Sequence, residues 1–284
     1  ACMFTAGFLH QMEKETTCPL CLSGKLDAVA VIQPEVTYPE EGKEIDEYDD
    51  EQLFSQSTGA QLPLPEGDVP FNWEEFAAQG RIAFARNQSL VMVNKGIEGP
   101  KGDGFLVCNL CGKTALDGKP LGSHRRDYKV DMRRGGPPPK HQCNGTFESV
   151  YLGYSFTSDT LLLQLPVRAP FRFDARAKRD RQPLSDALQS LCDALVIAIG
   201  RTLDIDTREI NSGYRFIRRG DEHFADIFVY DTLSGGAGYA TQAGQVFAQV
   251  FESAEKLLGS CSCSSSCDKC LRHYGNRFHH GSLV

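Results

Sequence analysis

Eleven cysteines stand out among the 284 residues, and most of them come in close pairs. An odd number of paired thiols suits metal binding in a reducing compartment better than a fully paired disulfide framework. Four of them lie within CSCSSSCDKC: Cys261, Cys263, Cys267 and Cys270. Thiolates at these positions can surround Zn²⁺ tetrahedrally, and the serines let the backbone turn between ligands. Cys261 and Cys263 would point in opposite directions on an extended strand, so the chain must bend for both to face one ion.

A second constellation is spread more widely. Cys108 and Cys111 form the knuckle VCNLCG, and Cys143 offers a third sulfur. His124 and His141 compete for the fourth position, with His124 preferred because His141 and Cys143 are only two apart. Alternatively Cys18 and Cys21, in CPLC, join Cys108 and Cys111 and leave Cys143 unliganded. Cys192 falls in an apolar helical pattern and reads as a small core residue. Cys2 carries no pattern. All these sites read as closed and structural. A catalytic zinc needs an open position and a neighbouring acid or base, and Glu222–His223 has no HExxH around it, so it reads as a charged hairpin turn.

These ligands need elements to hold them. Composition divides the chain into an N-terminal Cys-pair segment (1–34), an acidic linker or insertion (35–70), a zinc-binding and basic-loop region (71–149) and an α/β region (150–284). The second of these holds EEGKEIDEYDDEQ, with eight acids against one lysine, and reads as solvated. RIAFARNQSLVMVNKG is expected to form a hairpin about RNQS. YLGYSFTSDTLLLQLPV, FRFDAR, GYRFI and FADIFVYD read as strands. LSDALQSLCDALVIAIGRTL places Leu184, Leu188, Leu191, Leu195 and Ile199 on one helical face, with Ser185 or Asp186 as its cap. YATQAGQVFAQVFESAEKLLG reads as one further helix ending at Gly259. The fold class expected is α/β, a mixed sheet with packed helices and Cys-rich zinc-binding modules.

The net charge of −7 excludes a bulk-basic nucleic-acid binder but not a local basic surface. Lys119, Arg125, Arg126, Lys129, Arg133, Arg134 and Lys140 crowd one loop, with Tyr128 available for stacking. Arg172, Arg176, Lys178 and Arg179 form a second patch with Arg168 and Arg181. Arg272, His273, Arg277, His279 and His280 form a third beside the last cysteines. Each patch suits phosphate oxygens. Ser234, Gly235, Gly236 and Gly238, in SGGAG between a strand and a helix, could present amides to an anion. The competing reading is a tight turn with close helix–sheet packing. There is no Walker-A loop, no DEAH-like box and no paired acids demanding two-metal chemistry, so no enzyme activity is expected. No run of about 18 apolar residues suggests a membrane span, and the opening residues lack a secretory signal. A cytoplasmic location is expected. The chain lacks an initiating methionine and reads as a possible piece of a longer protein.

YLGYSFTSDTLLL, YDTLSGGAGYA and the stretch from Cys261 through CDKCLRHYGNRFHH together resemble the DUF1998 family, the MrfA-type zinc-binding domain. VCNLCG with His124 and Cys143 resembles the family's preceding region, and the likeness covers roughly residues 105–284. The family occurs at the C-terminal end of some superfamily 2 DNA helicases and in the DISARM phage-defence protein DrmB, whose C-terminal region CPLC also resembles. The resemblance implies a non-catalytic, zinc-containing, helicase-associated module in antiphage defence that binds DNA or supports a partner superfamily 2 helicase. The alternatives are the C-terminal domain of a DNA-repair helicase, covalently linked to its motor, and a zinc-stabilised interaction scaffold without DNA contact.

Overall fold

The computed structural model describes residues 17, 18, 20, 22, 30–34, 59–62, 71–76, 80–96, 104–115, 124–125, 142–171 and 178–284. The strands, in chain order, are β1 (Val31–Ile32), β2 (Glu74–Phe76), β3 (Gly80–Asn94), β4 (Phe105–Cys108), β5 (Thr114–Ala115), β6 (His124–Arg125), β7 (Gln142–Cys143), β8 (Phe147–Pro166), β9 (Ile210–Arg219) and β10 (Glu222–Asp231). The α-helices are α1 (Lys178–Leu203), α2 (Tyr239–Gln245) and α3 (Phe247–Gly259); a 3₁₀ segment, Tyr274–Ser282, follows. Eight strands join in a mixed sheet and β6–β7 form a separate ribbon. The expected α/β class with packed helices is what forms.

The chain makes two compact units. One comprises residues 1–27, 59–91 and 155–284, and the other 28–58 and 92–154. In the first, the strand order is β2-β3-β8-β10-β9, with β10 antiparallel to both its neighbours. Period-two alternation sends Ala225, Ile227 and Val229 of β10 and Leu161 and Leu163 of β8 into one core. There they meet Leu184, Leu188, Cys192, Leu195 and Ile199 of α1 and Val250, Ala254 and Leu257 of α3. Helical spacing of these apolar residues is what commits both helices to the sheet. The Gln182–Leu203 stretch of α1 is long and apolar enough by composition to cross a membrane, yet 61% of its apolar window is buried within this protein.

The opposite sheet face is covered as well. Phe228 pairs with Gly213, where a Cβ would lie 2.6 Å from the Phe228 ring. Beside it a polar line crosses four strands. Arg81 Nε donates to Gln164 Oε1 (2.7 Å), Gln164 Nε2 to Asp226 Oδ1 (2.5 Å), and Arg215 pairs with Asp226 Oδ2 (3.0 Å). Arg215 Nη1 also donates to the Leu62 carbonyl at 3.1 Å. Asp226 is thus buried with its charge matched and both oxygens bonded, as a buried carboxylate requires.

Three expectations change. The hairpin about RNQS is absent, because β3 runs unbroken through it. Asn87 takes a positive φ of 53° there, and its N–H donates to Asp159 Oδ1, so the irregularity is absorbed within the strand. The helix expected to cap at Ser185 or Asp186 begins at Lys178 instead and carries Pro183 inside it. The long second helix is broken at Val246 (φ −115°, ψ 25°) into α2 and α3. Phe84 packs so tightly on Gly244 that a Cβ there would overlap its ring. The break lets Phe247 and Phe251 both meet Phe76, at centroid distances of 4.8 and 5.0 Å. FRFDAR lies mostly outside the described residues.

Candidate metal centres

In the second unit, Cys108 is the last residue of β4, and the chain turns back immediately. Gly112 N–H donates to the Cys108 carbonyl (2.9 Å) and Cys108 N–H to that of Lys113 (2.9 Å). The turn needs φ +74° at Gly112, which glycine adopts without strain. It brings Cys108 and Cys111 to one side. The β6–β7 ribbon supplies the rest, because its register places His124 opposite Cys143. Cys108, Cys111, His124 and Cys143 are all buried, and their ligand atoms lie within 4.8 Å of one another.

The Cys108 and Cys143 sulfurs are 3.7 Å apart, and Cys111 Sγ is 3.1 Å from His124 Nε2. A tetrahedron with Zn–S bonds of about 2.3 Å has edges of about 3.8 Å, so the sulfur pair already has the spacing a zinc ion requires. Burial pushes the Cys111 thiol up to about 11; a metal must therefore displace protons to enter. Asn109 locks the knuckle in place. Its N–H donates to the Thr146 carbonyl (3.0 Å), and its Nδ2 to Thr146 Oγ1 (2.8 Å) and Glu148 Oε1 (3.0 Å). Gly145 leaves room for the sulfur, since a Cβ there would stand 2.4 Å from Cys108 Sγ. The His124 ring packs on Phe147 at 4.9 Å.

The other centre belongs to the first unit. After α3 ends at Gly259, the chain passes through Cys261 and bends about residues 263–265, which supplies the turn that the two-residue spacing demands. Cys261 and Cys267 sulfurs are 3.6 Å apart, Cys263 and Cys270 3.8 Å, and Cys267 and Cys270 3.7 Å. All four lie within 4.8 Å of one another. These too are the edges of a zinc–thiolate tetrahedron. Cys270 is buried and the other three are half-buried. The Lys269 amide holds the Cys267 thiol down to about 7, whereas the hydrogen bond to Cys261 pushes Cys263 up to about 12. Arg272 Nε braces the loop by donating to Ser266 Oγ at 3.0 Å.

The donor sets, Cys₃His and Cys₄, fit structural zinc: soft, fully assembled, and four-coordinate with no position left for a substrate. Cys18 is buried in the core of the first unit, while Cys21 and His141 lie outside the described residues. Cys192 sits in that same core, where burial raises its thiol far above the ordinary range. None of the described cysteines is in a disulfide.

The SGGAG loop is a closed turn. Asp231 accepts from the amides of Ala237 (2.6 Å), Gly238 (2.6 Å) and Ala240 (2.8 Å). The amides of Gly235 and Gly236 go to the carbonyls of Thr157 and Leu233, and the Ser234 position precedes them in the same turn. An anion here would meet the Asp231 carboxylate where it needed donors, so this loop is built for packing rather than for phosphate. Of the basic residues, Arg126, Lys129, Arg133, Arg134, Arg172 and Arg176 lie outside the described residues. Arg125 is on β6, Lys178 and Arg179 are in the first turn of α1, Arg272 precedes the 3₁₀ segment that follows the Cys₄ cysteines, and Arg277 lies within that segment.

Sequence spacing does not reveal what anchors that segment. Asn276 is buried and donates to Asp193 Oδ1 of α1 (3.1 Å) and to the Leu271 carbonyl (2.8 Å). It accepts from His273 N–H at 2.9 Å. Gln189 and His279 meet the other Asp193 oxygen.

Similarity to known proteins is of three kinds. The chain is 35% identical over 283 residues to the Druantia protein DruE of Escherichia coli (strain UMEA 4076-1), a match covering 97% of this chain and 15% of that protein. The chain therefore spans about 15% of that relative's length. The defence relative found is thus a Druantia protein, where the resemblance read from the sequence favoured DISARM and DrmB. Among solved structures, the DUF1998 helicase MrfA bound to DNA matches at 13% identity with a TM-score of 0.42, covering 78% of this chain and 23% of that one. A second MrfA structure, bound to DNA and AMPPNP, matches at 12% identity with a TM-score of 0.28, covering 71% and 20%. The Cys₄ centre itself lies in the stretch with a family assignment: residues 191–271 match the MrfA Zn-binding domain.

Proposed function

We propose that this chain is a non-catalytic, zinc-stabilised accessory module of a superfamily 2 helicase system in antiphage defence, acting in the reducing cytoplasm, where it contacts DNA beside the motor. The observation that carries the reading is a coincidence of place. The segment matching the MrfA Zn-binding domain ends on the four sulfurs that stand at zinc–thiolate spacing. The likeness to a Druantia protein across 97% of the chain supports a defence setting. The closed donor sets support a structural metal and argue against zinc catalysis. Basic residues near the Cys₄ centre and among residues 119–140 supply phosphate contacts.

Two measurements test this. The zinc-loaded chain should bind DNA with an affinity that falls steeply between 50 and 200 mM salt, on the order of ten-fold for each pair of phosphate contacts. It should hydrolyse no ATP alone, yet associate with a superfamily 2 motor, either as a separate subunit or through the parent chain. Salt-insensitive binding, or ATP hydrolysis by this chain alone, would overturn the reading. A motor on the same polypeptide would favour the covalent arrangement of a repair helicase.

A further inference from the structure

We infer that Tyr274 and Arg277 form a stacking platform for an unpaired nucleobase, a reading that rests on the DNA contact proposed above and assigns it a surface. Tyr274 is 80% exposed. In contrast, Phe216, Phe228 and Phe247 of the same unit are buried. Burial of a tyrosine ring is favourable, so a ring held in solvent by ordered backbone does not serve the core.

The ring has a defined setting. Across a kink at Asn276 (φ −109°, ψ 20°), Arg277 Cζ stands 4.5 Å from the Tyr274 ring centroid. The guanidinium occupies one ring face, and most of the residue's surface remains in water. The corner carrying the ring is fixed from within. Asn276 bonds Asp193 and Leu271, accepts from His273 N–H, and meets His280 Nε2 at 3.0 Å. A base landing on Tyr274 therefore meets a preorganised surface and little ordering cost remains.

Charge selects the class of ligand. Between Asp268 and Val284 the sequence carries Lys269, Arg272 and Arg277 against Asp268 alone, in a chain of net charge −7. Lys269, Arg277 and His279 are exposed, and Arg277 stands over the ring. A protein partner would ask for a contiguous apolar patch around the tyrosine. An aromatic face backed by a guanidinium instead matches a base and its phosphates, and the base must be unpaired because bases within a duplex have both faces stacked.

The test uses the full zinc-loaded chain with a mixed-sequence single strand and the corresponding blunt duplex, titrated at several salt concentrations. Tyr274→Ala and Tyr274→Leu should weaken single-strand binding about 5- to 100-fold, leave the duplex within about two-fold, and leave zinc content and melting temperature unchanged. Tyr274→Phe should retain wild-type binding. Arg277→Gln should reduce the salt slope on single strands by about 0.7. Wild-type binding that Tyr274→Leu leaves intact, or that it weakens equally for single strand and duplex, overturns the platform while the DNA reading stands. A wild-type chain that binds neither overturns both.

Discussion

Asn276 Nδ2 donates to Asp193 Oδ1 at 3.1 Å across 83 residues of sequence, tying the segment after the Cys₄ centre to α1. Both groups are buried, so each satisfies the other's need for a partner. Asn276→Ala should lower stability by about 1–3 kcal/mol, read from the midpoint of urea unfolding. A variant as stable as wild type would show that this contact holds nothing.

The same carboxylate gives a pH dependence. Burial opposes the charge on Asp193, but the contacts from His279, Gln189 and Asn276 outweigh it and hold the group below its ordinary value. A depressed folded-state pKa contributes stability above the unfolded value and loses it as pH falls through the folded one. The stability gap between wild type and Asp193→Asn should thus be full at neutral pH and close below the ordinary carboxylate range. Unfolding curves at a series of acidic pH values check the direction.

Asp226 tests the buried polar line. Asp226→Ala strands Arg215 and Gln164 without their acceptor and should cost about 3–5 kcal/mol, as for other broken buried pairs. A combined replacement of Asp226 and Arg215 by apolar residues should recover part of that loss. Thermal melting of the single and double variants gives the comparison.

The two metal centres should separate in exposure. Cys108→Ser with Cys143→Ser, and Cys267→Ser with Cys270→Ser, should each remove about one zinc per chain by elemental analysis. Loss of both from either pair, or of neither, would contradict two distinct sites. Because Cys261, Cys263 and Cys267 are half-buried while the upstream ligands are all buried, a chelator should strip the Cys₄ set first and give two resolved phases.

Gly145→Ala probes the upstream geometry without touching a ligand. A methyl group 2.4 Å from Cys108 Sγ should displace that sulfur and weaken zinc binding there about 10- to 100-fold. The Cys₄ centre serves as the internal control in a competition titration.

Sequence spacing carried much of this. Apolar periodicity located α1, α3, β8 and β10, and thiol spacing within ten residues located the Cys₄ centre. The upstream centre was legible as a donor set but not as a pairing, since the choice of His124 rests on the β6–β7 register, a non-local property. The hairpin about RNQS failed for a related reason: polar turn residues also fit a long strand when Asp159 on a distant segment receives the Asn87 amide. The break at Val246 lies two residues from Gly244, on which Phe84 packs, a contact that no helical pattern encodes. Asn109 and Asn276 were missed because a lone asparagine signals nothing until its partners are in place.

The compactness of the Cys₄ set has a kinetic side. Its sulfur pairs at 3.6–3.8 Å are three, six and seven positions apart in the chain, against 35 between Cys108 and Cys143. Loop-closure entropy grows as the logarithm of that separation, so the five-fold ratio between 35 and seven alone amounts to about 1.4 kcal/mol, or roughly ten-fold in the chance of encounter. The Cys₄ loop is thereby placed to capture its ion while the chain is still largely open, whereas the upstream centre must wait for β6 and β7 to find each other. Metal loading should therefore be ordered by chain topology, with the more exposed centre filled first.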